Sequence, residues 1–507
     1  MENENNSGRA TPKRSGGLGV VAITGMIIAA SAPLTVVAGG VPTGFAVTGS
    51  LGVPFGYLAL AGVLLLFAAG YGAMGRFVRN AGAFYAYIAQ GLTRWAGIGS
   101  SLVALVAYNA MQIGIFALFG FTISDWLATR FGVETPWWMW VFAGIVVVGA
   151  LGVNRVDLSA RVIVVLVGLE FLAVVVFDVL AFVVAPEGAN PAPLTPGAFF
   201  APGIGAVLAF GVAAFMGFES AAIYAEEAER PERTIPRATF LAVGIVGVFY
   251  ALSSWAVTVG VGAGQVVERS RELGPGLMFA FLAEHTGPVV PDAVQLLFIT
   301  SLFAALQSFH NAVARYFFSL GREGVLPRWL GSLRREHHAP WAGSLTQTVI
   351  AVLVTIGFAL ASAASDDPLF PVLTMFTWLT TTGAAGLVFL MAVVALAVVG
   401  FFRADPRGVS LWSRAVAPAL AAVLLLVLFV LIMANFDLLL GQEEPGPLSW
   451  VLPGLLVLPG VAGAIRGLVI KRRDPARYEE IGHRIETSPE LAELVESGEP
   501  AEPEAAR

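Results

Sequence analysis

The chain contains no cysteine. That excludes disulfide scaffolds, thiolate metal sites and cysteine catalysis, and it leaves the redox compartment open. Charge is scarce too: 13% of the 507 residues are Asp, Glu, Lys or Arg, about half the share of a soluble domain. With 57% hydrophobic residues, such a surface could not be covered in water. What the chain has instead is long apolar sequence, with a mean hydropathy of +0.79. Twelve apolar runs fall at about 18–45, 51–75, 95–126, 136–153, 160–185, 203–227, 237–262, 289–320, 341–363, 369–401, 412–436 and 449–470. Each is long enough to cross a hydrocarbon core of about 30 Å at about 1.5 Å per residue. The loops between them are short and rich in Pro, Gly and Arg, and none could form a separate soluble domain. The alternating segments of a membrane barrel are absent from the sequence. The expected fold class is an all-α polytopic membrane protein with about twelve transmembrane helices.

The net charge of -6 hides a segregation. With the N-terminus inside, 26 of the 29 Lys and Arg residues fall in inner segments, and only Arg130, Arg269 and Arg271 fall outside. Basic residues collect on the cytoplasmic side, so both termini are predicted to be cytoplasmic in a multi-pass plasma-membrane protein. Residues 1–17 read as a cytoplasmic tail, because the apolar run that follows is too long for the core of a cleaved signal. Residues 471–507 read as an acidic, solvated cytoplasmic tail. Within it Ser488-Pro489-Glu490 carries the marks of a helix start, predicting a short surface helix to about Ser497. No nucleic-acid partner is expected, and the sequence assigns no oligomeric state.

Two runs carry signs of interruption. The first contains Ala29-Ala30-Ser31-Ala32-Pro33 and then Gly39-Gly40. Pro33 lacks an amide donor and clashes with the preceding turn, so unwinding is expected near Ser31. The sixth contains Gly217-Phe218-Glu219-Ser220, a glycine beside a carboxylate at membrane depth. Breaks at matching positions in two halves point to a secondary transporter built from inverted repeats, although Gly and Pro also produce simple packing kinks. Five crossings apart, the two runs pass the membrane in opposite senses. The expected organisation is a ten-helix transport core over 18–401, with repeats at about 18–185 and 203–401, followed by two further helices over 412–470. Freed amides at the breaks could hold a carboxylate, and freed carbonyls an ammonium group.

The end of the sixth run continues to Glu226-Glu227, Pro231 and Ile235-Pro236-Arg237-Ala238. This resembles the signature of the amino acid–polyamine–organocation permeases. Ala81-Gly82-Ala83-Phe84-Tyr85-Ala86-Tyr87 is similar to the entrance of that family's third helix, and Ala314-Arg315 with Gly321-Arg322-Glu323-Gly324-Val325-Leu326-Pro327 to the end of its eighth. The resemblance implies a leucine-transporter-like fold of five plus five inverted helices, alternating access, and a small-molecule substrate that is an amino acid or an amine. The residues expected around that substrate are Ala29, Ala30, Ser31, Ala32 and Pro33 from the first run, with Ala213, Phe215, Met216 and Gly217 from the sixth. The sequence departs from the family at four places. Arg79 replaces a proline, Ala29-Ala30-Ser31 replaces a glycine-rich stretch, Ala213 stands where some members have an aromatic gate, and Glu170 where some proton-coupled members have a lysine.

Away from the ends of the runs stand four carboxyl or imidazole groups: Glu170, Asp178, Glu219 and His310. A charge at mid-bilayer costs about 3 kcal/mol, so such groups face a cavity or a partner. The sequence shows no sodium-binding constellation, which leaves Glu219 and Glu170 as candidate proton carriers for proton coupling or exchange. Their structural alternatives are to bond freed amides at the sixth-run break and to bond a neighbouring helix, respectively. Asp178 can reach the interface, and His310 with Asn311 can tie helices together. Asn109, Gln112, Gln307, Ser308, Thr377, Thr380, Thr381 and Thr382 could line a polar path or simply bond between helices. Trp137, Trp138 and Trp140 read as interfacial anchors.

Other classes fit worse. A membrane metalloprotease needs a histidine pair in a span, and the paired His337 and His338 lie in a loop. A channel would show charge rings or carbonyl filters. A metal-ion transporter of the same broad fold would carry Asp-Pro-Gly-Asn and Met-Pro-His where this chain has Ser31-Ala32-Pro33-Leu34 and Met216-Gly217-Phe218-Glu219. No enzyme activity, cofactor or metal site is expected. A zwitterionic amino acid is the first choice of substrate, and a polyamine or other organic amine the second.

Overall fold

The structure, a computed structural model, describes residues 18–78, 84–154, 160–201, 203–219, 228–333, 339–442 and 446–482, without the side chains of 160–163 and 231. Arg79, Ala81 to Ala83, Ser220, Glu226, Glu227, His337, His338 and the tail helix expected at 488–497 lie outside the described residues.

In chain order the α-helices are α1 Val20–Ala30, α2 Val41–Thr48, α3 Val53–Met74, α4 Phe84–Gly91, α5 Arg94–Phe131, α6 Trp137–Asn154 and α7 Ala160–Val184, then the single turn α8 Pro196–Phe199, then α9 Ile204–Phe215 and α10 Pro231–Val261. The short α11 Val266–Leu273 and α12 Leu277–Thr286 lead to α13 Val289–Arg322, α14 Trp341–Ser362, α15 Thr377–Ala404 and α16 Ala417–Ala434. The turn α17 Phe436–Leu439, α18 Leu448–Arg473 and α19 Pro475–Glu480 complete the series. No strand forms among the described residues. One isolated bridge, Leu18 with Ala228, pins the entry of the first run against the residues after the sixth.

Among the described residues eleven helical spans are long and apolar enough to cross a membrane. They coincide with eleven of the twelve runs, because uninterrupted apolar sequence must satisfy its own backbone in lipid. The sixth run differs. Its helix α9 has 12 residues, short of the roughly 20 a crossing needs. It stops at Phe215 because Met216 turns to an extended ψ of 139° and Gly217 takes a φ of 111°.

Helix α5 is the long central element, started by Thr93, whose hydroxyl accepts the Ala96 amide at 3.3 Å. It packs against α4, α6, α13, α15 and α18. Small residues let these backbones approach, the usual device where lipid offers no hydrophobic drive for association. Against α5, a Cβ at Gly463 of α18 would lie 2.9 Å from the Ile98 carbonyl oxygen, and one at Gly467 2.8 Å from the Cα of Trp95.

The residues after Lys471, expected as a solvated tail, begin with a docked segment. Asp474 caps α19 by accepting the Arg477 amide at 3.1 Å. Tyr478 and Ile481 are then buried against Ile98, Leu320 and Val325. Arg94 pairs with Glu479 at 2.8 Å, and Gln90 donates to the Gly482 carbonyl at 2.9 Å.

Candidate functional site

The first break is local. Helix α1 ends at Ala30, and Ala32 sits at a φ of 44°, a region that costs a non-glycine residue about 1–2 kcal/mol. Pro33 follows and supplies no amide, so the helix restarts with Leu34 as its first donor in need of a partner. That amide donates to Glu170 Oε2 at 3.3 Å. The same oxygen accepts from Ser301 Oγ of α13 at 2.9 Å, and Ser301 Oγ stands 3.1 Å from Thr35 Oγ1. On the other side of the gap, Tyr250 of α10 donates its hydroxyl to the Ser31 carbonyl at 3.2 Å.

The second break mirrors the first in chemistry. The Gly217 amide donates to Glu219 Oε2 at 2.9 Å, while Tyr108 of α5 donates to Glu219 Oε1 at 2.7 Å. Tyr71 of α3 donates to the Glu219 carbonyl at 3.4 Å. Both carboxylates are buried. Each therefore holds a backbone amide that an interrupted helix has released, and each is braced by a hydroxyl from another helix. These bonds match the structural alternatives read from sequence.

The breaks meet. A Cβ built on Gly217 would lie 2.7 Å from the Ala30 carbonyl oxygen, so the two chain interruptions are in backbone contact. Ser31 and Phe215 line one narrow crevice with Ile27, Phe218 and Val246. Ala32 and Pro33 are buried, and Ala29, Ala30 and Ala213 are half-buried. Met216 donates its amide to the Ala213 carbonyl at 3.3 Å, closing the last turn of α9. Glu170 and Glu219 belong to separate networks, one tied to α13 and the other to α5 and α3.

Sequence reading missed the hydroxyls that brace these carboxylates: Tyr71, Tyr108, Tyr250 and Ser301. A tyrosine inside a span needs a partner for its hydroxyl when buried, and that is the signal that could have found three of them.

Some of the remaining intramembrane polar residues join helices, and others bond within their own. Asp178 accepts from Ser253 of α10 at 2.7 Å. Gln112 donates to the Leu306 carbonyl at 3.3 Å and stands 3.3 Å from His310 Nδ1, whose Nε2 stands 2.7 Å from Ser344 Oγ. Gln347 completes that network by donating to Gln112 Oε1. Asn109 donates to its own helix at Leu105, and Asn311 accepts from Gln307 one turn away. Thr377, Thr380 and Thr382 likewise donate their hydroxyls to carbonyls of the preceding turn. Two of the sequence motifs touch: Tyr85, from the third-helix motif, donates to Glu323 Oε1 of the eighth at 2.9 Å. Among the described residues there is no group of three or more His, Asp or Glu side chains suited to hold a metal ion.

A helical membrane bundle with two interrupted helices in contact, their freed backbone groups facing each other, is the architecture of a secondary transporter with a leucine-transporter-like fold. The fold is shared with a crystal structure of a manganese transporter from Eremococcus coleocola, at a TM-score of 0.53 and 14% identity over 90% of this chain and 95% of that one. The model of the amino acid permease family matches residues 18–456, and the chain belongs to that family, within the amino acid–polyamine–organocation superfamily. A branched-chain amino acid permease of Lactococcus lactis is 26% identical over 331 residues, 62% of this chain and 70% of its own. The human cystine/glutamate transporter is 25% identical over 359 residues, 68% of each chain.

Proposed function

We propose that this permease moves zwitterionic amino acids across the plasma membrane by alternating access, coupled to protons or working as an exchanger. Both termini are cytoplasmic in this reading, on the strength of the charge split, and the inverted repeats span about 18–185 and 203–401. The observation that carries it is the occupation of each freed amide by a carboxylate of the chain itself: Leu34 N by Glu170 and Gly217 N by Glu219. A charged acceptor binds an amide about twice as strongly as a neutral one. A proton arriving at Glu219 or Glu170 turns the carboxylate into a neutral acid and loosens its hold. The amide then passes to the substrate's carboxylate, and the Ala30 and Ser31 carbonyls face the substrate's ammonium group. Loss of the proton on the other side restores the internal bond and returns the amide. The names of the two relatives above support an amino acid as cargo.

The amine reading is weaker. A polyamine brings no carboxylate for the freed amides and would need the oxygens of Glu170 and Glu219, which are engaged by Leu34, Ser301, Gly217 and Tyr108. Thermal unfolding of the purified protein against a panel of amino acids and diamines tests the choice. A ligand at 100 times its dissociation constant stabilises the native state by about 2.7 kcal/mol. The expected result is a rise in Tm with one or a few amino acids; a rise with diamines alone reverses the assignment.

A further inference from the structure

Away from the helix breaks, at the end of α13, the chain forms a half-open cavity of about 440 Å³. Its walls are the last turn of α13, the 3-10 turn Arg328–Gly331 and the docked segment that follows α18. Three guanidinium groups, from Arg322, Arg328 and Arg477, line it. Among the described residues none of the three is within ion-pair distance of a carboxylate. Among the described residues the lining also carries two carboxylates, Glu323 and Glu480, which have partners of their own. Glu323 accepts from Tyr85 Oη at 2.9 Å and from the Gly482 amide at 3.3 Å. Among the described residues the lining therefore gathers three guanidinium groups against two carboxylates, an excess of positive charge. The wall is also fixed in place, since Arg477 donates to the Glu323 carbonyl at 2.9 Å and Arg466 to the Gly324 carbonyl at 3.0 Å. Trp329, beside Arg328, is 57% exposed, and exposed tryptophans are enriched at membrane–water interfaces.

We propose that this cavity binds a phosphate-bearing anion at the membrane surface, gripped by Arg322, Arg328 and Arg477. Guanidinium groups match phosphate oxygens in bidentate geometry, and basic enclosures at the ends of membrane helices recognise anionic headgroups. The size exceeds what an inorganic phosphate fills, which favours the headgroup of an anionic phospholipid. Its binding would brace the joint between the core and the C-terminal segment.

The test uses the full-length protein in neutral detergent, following thermal unfolding while phosphatidylglycerol, phosphatidylcholine or sodium phosphate is added at constant ionic strength. Phosphatidylglycerol should raise Tm, and phosphatidylcholine should not. Arg328→Gln removes an exposed group and should leave the Tm without lipid unchanged. It should raise the half-effective lipid concentration about fivefold, and Arg322→Gln should do the same. An arginine-dependent rise with inorganic phosphate as well would assign the site to the phosphate group alone, within the same proposal. Equal shifts with both lipids, no shift with either anion, or a phosphatidylglycerol shift unchanged in both variants would overturn it.

Discussion

A methyl group added at Gly217 would lie 2.7 Å from the Ala30 carbonyl oxygen, on a backbone at φ 111°. Both the contact and the backbone region exclude a side chain without displacing one break from the other. Gly217→Ala should lower initial uptake in proteoliposomes at least about tenfold, the effect of about 1.4 kcal/mol, and Gly217→Leu should abolish it while the protein still inserts and purifies as a single species. Unchanged transport in the leucine variant would remove the breaks from the mechanism. Tyr108 is the second informative side chain. Tyr108→Phe strips Glu219 of its hydroxyl donor at 2.7 Å, and a hydrogen bond to a charged group is worth about 1.5–3 kcal/mol. The loss should appear as a lower Tm in thermal unfolding. At the sixth break the glycine drew notice by standing beside the glutamate, and the glutamate was legible in sequence because carboxylates are rare at membrane depth. Their tyrosine partners were not, because a tyrosine in a span looks the same whether its hydroxyl serves a carboxylate or a backbone carbonyl.

At the scale of elements, the apolar runs mapped closely onto helices because lipid forces each run to satisfy its own backbone. The break near Ser31 was equally readable, since Pro33 both lacks a donor and crowds the preceding turn. The short α9 and its stop at Phe215 required knowing that Gly217 adopts a positive φ, which glycine permits but does not announce. The docking of α19 was hidden for a different reason. Pro475–Glu480 is polar, and its burial rests on Tyr478 and Ile481 meeting α5 and the end of α13, contacts hundreds of residues apart in the chain. Ile481 is 1% exposed, so Ile481→Ala should cost about 2–5 kcal/mol, read as a fall in Tm that truncation after Arg473 reproduces. A tail that merely touched the surface would leave Tm within error of the parent in both variants.

For the molecule as a whole, the proposed orientation rests on the charge split, and the absence of cysteine makes it directly measurable. Cysteines introduced singly at Arg233 and Arg334 should react with an impermeant thiol reagent only from the cytoplasmic side, and those at Asn190 and Glu443 only from outside. A cytoplasmic Asn190 would undo the inverted-repeat organisation. In the proposed cycle, protons at Glu219 or Glu170 trade the freed amides between the chain and its substrate. Protonation loosens the internal bond, so uptake should rise as external pH falls and should be indifferent to sodium replacement. Glu219→Gln and Glu170→Gln hold the side chain in the form that resembles the protonated acid, so at least one should lose the pH dependence or proton-driven accumulation while still binding ligand. The deciding measurement is initial uptake in proteoliposomes from about pH 5 to about pH 8, for the parent and both glutamine variants. A flattened profile in one variant is the predicted result; a profile of unchanged shape in both, or strict sodium dependence in the parent, would contradict the account.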